Sequence, residues 1–139
     1  MTYKELRDKH QKEVNCFPFV FAFSEKQLFE GMADKWGYTE ADLDKIYSIG
    51  AGGYIRKEDA PALQEMTDRH FRELSEALNS TAFFEDALYY ELCNHEYCIT
   101  GNPDDALNAL GLTDDDIIND PARLAAYRSA TQRAKQDCQ

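Results

Sequence analysis

Apolar residues in this chain recur first at helical spacing, then in an unbroken run, then at helical spacing again, and each change marks an element. Tyr3, Leu6, Val14 and Phe17, with His10 in the same row, make the inward stripe of a helix over 2–15. Thr2, with Glu5 three residues on, supplies its capping box. The run from Cys16 to Phe23 is aromatic and short, which predicts a buried strand. Pro18 belongs at the start or edge of that strand, because proline has no N–H for a ladder. Ser24 and Gln27 form a second capping box, opening a helix whose inward face is Leu28, Phe29, Met32 and Trp36 and which Gly37 stops. A single short turn opens at Thr39–Asp42.

Residues 44–57 predict a β-hairpin, with Ile46, Tyr47 and Ile49 before the Gly50–Gly53 cluster and Tyr54 and Ile55 after it. The cluster lacks the spacing and lysine of a phosphate-binding loop, and no helix opens directly behind it, so it reads as a turn or bulge. Asp59 caps the next helix, with Pro61 in its first turn, and Leu63, Met66, His70, Phe71, Leu74 and Leu78 form its stripe. The following helix, from Thr81 to about Asn94, organises the rest. Phe84, Leu88 and Leu92 lie at i, i+4 and i+8, and Glu91 and His95 fall on or beside that stripe. A carboxylate and an imidazole there need partners, because burying either alone is costly. Glu91 is therefore expected to be at least half buried and hydrogen-bonded.

Tyr97–Thr100 predicts a short strand, and cap signals at Asn102-Pro103, Thr113 and Asp120-Pro121 open three further helices. The fold class is α+β, mainly helical: five to six helices around a small three- to four-stranded sheet from 18–23, 46–49 and 53–56, with 97–99 as the optional fourth strand. One globular domain over 1–139 is expected.

Charge changes the picture in one half. Residues 1–57 carry nine Lys/Arg and nine Asp/Glu, whereas residues 58–139 carry six and seventeen and so hold all of the net −11. Contacts to phosphates need Lys and Arg, so direct nucleic-acid binding is disfavoured and a protein with a basic surface is the expected partner. No apolar run approaches a membrane helix, and the polar N-terminus has no signal-peptide core, so no membrane association and a cytoplasmic location are expected. Cys16, Cys93, Cys98 and Cys138 form no metal or disulfide pattern and are expected as free thiols.

Two constellations could carry chemistry. His10, His70 and His95 all fall on apolar stripes, and Glu91 precedes His95 by one turn, so His70, Glu91 and His95 are a candidate metal set; three separate histidines meet only through the fold. Otherwise each histidine bonds a backbone carbonyl or a tyrosine. Tyr89, Tyr90, Glu91, Asn94, His95, Glu96 and Tyr97 could line a pocket, with Glu91 as base and His95 as acid. No nucleophile elbow, phosphate loop or dinucleotide fingerprint accompanies them, and no cofactor is expected. Asp104, Asp105, Asp114, Asp115 and Asp116 are the candidate contacts for a cationic partner.

The segments FAFSEKQLFEGM, DKIYSIGAGGYIRKED, YYELCNHEYCITG and ALNALGLT resemble a family of small uncharacterised proteins from phages and conjugative elements of gut anaerobic bacteria, over about residues 1–118. The resemblance implies a mobile-element setting, where such proteins are often inhibitors of host defence, and it transfers no catalytic residues. The expected function is a non-enzymatic acidic binding protein acting on a basic, nucleic-acid-binding surface. The alternative is a small metal- or pocket-dependent enzyme centred on Glu91 and His95.

Overall fold

The computed structural model describes residues 1–137. Eight α-helices and one three-stranded sheet occur among the described residues: α1 Tyr3–Cys16, β1 Val20–Phe21, α2 Glu25–Trp36, β2 Ile46–Gly50, β3 Gly53–Arg56, α3 Ala60–Ala77, α4 Thr81–Asn94, α5 Tyr97–Thr100, α6 Asp104–Ala109, α7 Asp114–Ile118 and α8 Pro121–Gln136. The fold is thus α+β and mainly helical. The helix count exceeds the expected five to six because α5, α6 and α7 are separate short turns. The chain forms two compact units, residues 11–69 and residues 1–10 with those from 70 onward, so that α1 and α3 contribute to both.

In the unit of residues 11–69 the sheet is antiparallel in the order β1-β3-β2. The 46–56 hairpin turns through Gly50, Ala51 and Gly52, all at positive φ, and its ladder is irregular between Ser48 and Gly50. The first strand is shorter than the expected 18–23. Val20 and Phe21 pair with Tyr54 and Gly53, one further bond runs from the Ala22 N–H to the Gly52 carbonyl, and there the turn begins. The Pro18 carbonyl accepts the Trp36 indole N–H at 3.1 Å instead of joining a ladder. Helix α2 begins at the expected Ser24 cap and ends at Gly37 in the left-handed conformation. It packs on β1 through Gly31, where a Cβ would stand 2.6 Å from Val20 Cγ1, so only glycine permits the approach. Val20, Met32 and Ile55 are buried. Asp59 does not cap α3: it lies in a 3₁₀ turn, and its carboxylate takes both Nε and Nη2 of Arg56.

In the other unit, α4 is the axis of the core. Phe84, Ala87, Leu88 and Leu92 are fully buried, and α8 lays Ala126, Ala130 and Ala134 against it, side chains small enough for two helices to approach closely. Tyr3, Leu78, Tyr97, Leu107, Leu110 and Ile117 complete the cluster. The strand expected at 97–99 is a helical turn. Glu96 at φ 56 ends α4, Gly101 at φ 67 closes the turn, and the Ile99 and Thr100 N–H groups bond the Glu96 carbonyl. Burial of Tyr97 in the core holds it there. Phe71, expected on the inward stripe of α3, is 63 % exposed. Cys16 and Cys93 are free and exposed, whereas Cys98 is disulfide-bonded, against the expectation of free thiols; Cys138 lies outside the described residues.

Candidate functional site

Glu91 is 2 % exposed, the one charged side chain among the buried residues described. It lies on the last full turn of α4 because the helical period carries it there from Phe84 and Leu88. Tyr3, on α1, donates its hydroxyl to Glu91 Oε1 at 2.6 Å. The Arg7 guanidinium stands 3.7 Å from the same oxygen and donates to the Tyr90 hydroxyl at 3.1 Å. His95 Nε2 lies 3.2 Å from Oε2, and Asn94 Nδ2 donates to that oxygen at 3.4 Å. Tyr90 also sets its ring edge against Tyr3, with centroids 5.4 Å apart.

The electrostatics follow from this burial. Burial first, then the bond to Glu91 and its negative charge, hold the Tyr3 hydroxyl well above the ordinary phenol range. Burial alone would lower the Arg7 pKa, but Glu91 and Tyr90 outweigh it and raise it. Glu91 therefore has donors on both oxygens, and the cluster ties α1 to α4. The clefts of this unit at Asp104–Asp114, Ser75–Arg123 and Met1–Phe83 include neither Glu91 nor His95 in their linings.

The structure gathers some of the expected residues and separates others. Tyr90, Asn94 and His95 join Glu91. Tyr89 donates to Asp137, which with burial pushes its pKa up to about 12, and its ring lies 4.1 Å from the Arg133 guanidinium. Tyr97 is in the core, and Glu96 is exposed. His70 does not complete a set with Glu91 and His95. Its ring stacks on His10 at 3.9 Å, and His10 Nε2 lies 2.7 Å from Glu73 Oε2. Among the described residues no group of three or more His, Cys, Asp or Glu side chains is placed to hold a metal.

Tyr3 and Arg7 were not foreseen as part of this cluster. A signal for Tyr3 existed: a tyrosine on an apolar stripe needs a partner for its hydroxyl, as a buried carboxylate needs a donor. Two such residues on different helices are natural mates.

The acidic residues divide by what they do locally. Asp116 closes a capping box with Thr113, whose N–H it accepts at 2.9 Å, and this bond holds its carboxyl below the usual range. Asp120 caps α8, accepting from the N–H groups of Ala122 and Arg123. Asp104, Asp105, Asp114 and Asp115 are exposed and make no side-chain hydrogen bond or ion pair among the described residues. Asp104 and Asp114 line one cleft of about 330 Å³, with Asn108 and Thr113 beside them and Leu107 and Leu112 in the same lining. Burial, then the neighbouring Tyr97, Asp114 and Asp104, raise the pKa of Tyr127.

These features define an acidic, mainly helical α+β protein whose buried ionic cluster joins two helices. The chain belongs to the family of unknown function DUF7659, whose model matches residues 2–133. No curated protein and no solved structure matches it.

Proposed function

We propose that this is a non-enzymatic binding protein of a phage or conjugative element, acting in the host cytoplasm as an inhibitor that occupies the basic, nucleic-acid-binding surface of a defence protein. The observation that carries the reading is the set of four exposed aspartates, Asp104, Asp105, Asp114 and Asp115, that form no ion pair among the described residues. Helix capping explains Asp116 and Asp120, and a place in the first turn of α6 gives Asp104 and Asp105 a local use against the helix dipole, whereas Asp114 and Asp115 are surplus to the Thr113–Asp116 box. Asp104 and Asp114 face one mainly polar cleft that also has Leu107 and Leu112 in its lining, a setting suited to a Lys or Arg side chain with its aliphatic stem. An enzyme centred on Glu91 and His95 is less favoured, because both Glu91 oxygens already have partners. No helix among the described residues is long and apolar enough to cross a membrane.

The test is capture from host lysate with mass spectrometry, using the protein and its Asp104→Asn/Asp105→Asn/Asp114→Asn/Asp115→Asn variant. A partner with a basic surface, retained by the first and lost by the second, is the expected result. Equal capture of the same partner by both would remove the acidic residues from the interface.

A further inference from the structure

We infer that β2 is a self-association edge: two copies of this chain pair through Ile46–Ser48, antiparallel across a two-fold axis, extending the sheet from three strands to six. The sheet has two edges, and they differ in how they are guarded. At one edge β1 is two residues long and follows Pro18 by one residue, the usual means of keeping an edge from recruiting another strand. At the other edge β2 is five residues long, contains no proline or charge, has its bulge at Ile49 next to the turn, and among the described strands pairs only with β3. Its backbone groups on the far side have no hydrogen bond to the described chain.

The side chains are as open as the edge. Tyr47 is 48 % exposed and Ile49 44 % exposed, and no residue of β2 is buried. From Ile46 to Ile55 the chain carries no charge, in a protein whose net charge is −11. That is where a second copy meets the least repulsion.

The charge pattern also selects the direction of pairing. Asp44 and Lys45 stand at one end of β2, and Gly50, Ala51 and Gly52 at the other. Parallel strands would set Lys45 against Lys45 and Asp44 against Asp44. Antiparallel strands set both against the uncharged Ile49–Gly50 end, with Tyr47 at the centre and Ser48 beside it. Ile49 is the unpaired residue between Ser48 and Gly50 in the ladder to β3, so regular pairing runs over Ile46–Ser48.

Sedimentation velocity from micromolar to millimolar protein tests this, together with Ser48→Lys and Ser48→Glu variants. Ser48 is exposed, so neither change removes core packing, and circular dichroism confirms that each variant folds. The chain is expected to pass from 15.9 kDa to twice that mass. Added salt should shift the midpoint to lower concentration, because it screens repulsion between two acidic copies. Each variant alone should remain monomeric, and an equal mixture of the two should dimerise. A wild type that stays monomeric to millimolar concentration overturns the inference. So does a dimer that persists in both single variants, or a β2 edge taken up by a heterologous strand while the chain itself stays monomeric.

Discussion

Glu91 takes a negative charge into the core, and that is tolerable because Tyr3, Arg7, Asn94 and His95 surround it. Removing the carboxylate strands the Tyr3 hydroxyl and breaks the contact to Arg7. Glu91→Ala is therefore expected to cost about 3 kcal/mol, the range for breaking a buried pair. Glu96→Ala, at an exposed site, should stay within about 0.5 kcal/mol. Urea titration of the two variants checks this, and equal, negligible losses would show that the cluster holds nothing together. Tyr3 gives a second, pH-resolved test. Its native pKa is raised above the ordinary value of 10.0, so above that pH the unfolded chain releases a proton that the native state retains. Its contribution is constant below pH 10.0 and declines as pH rises further. Tyr3→Phe should lower stability at neutral pH by about 1–3 kcal/mol and flatten the alkaline part of the stability–pH curve.

At the scale of elements, helices meet their neighbours where side chains are smallest. Gly31 on α2 lies against Val20 on β1 with no room for a Cβ. Gly31→Ala gains helix propensity, yet the clash should win and destabilise by about 1–3 kcal/mol. Combining it with Val20→Ala should cost less than the two single losses added together, since each change acts on the same contact. Thermal unfolding of the four members of that cycle is the measurement, and strict additivity would place the two residues out of contact. The capping signals at Thr2, Ser24, Thr39, Thr113 and Asp120 all appear as hydrogen bonds. Caps are legible because they are local. Asp59 departed because Arg56, three residues back, offers its carboxylate a forked pairing that outbids one backbone N–H.

Across the whole molecule, substitution of the charge distinguishes a structural use from the proposed functional one. Asp114→Asn/Asp115→Asn removes charge that no cap or ion pair uses, so stability should change by no more than about 0.5 kcal/mol. Association with a basic partner should slow, and its dependence on salt should flatten. Stopped-flow or surface-binding kinetics over a salt series reads both. An on-rate indifferent to the substitutions and to ionic strength would reduce the acidic half to a solvated surface. Added salt has opposite expected effects on the two associations, weakening capture of a cationic partner and strengthening pairing of the β2 edge.

Local physics, written in the order of residues, determined the helices, their caps, the hairpin and the stripe that buries Phe84, Leu88 and Leu92. It also determined that Glu91 would lie on that stripe and require donors. Which donors answered was decided by tertiary structure alone, because Tyr3 and Glu91 are separated by 88 positions and no periodicity links them. The same holds for His70, which stacks on His10 instead of joining His95. It holds for Tyr97–Thr100, whose residues suit a strand, because burial of Tyr97 between glycine-like left-handed positions at Glu96 and Gly101 leaves room only for one helical turn.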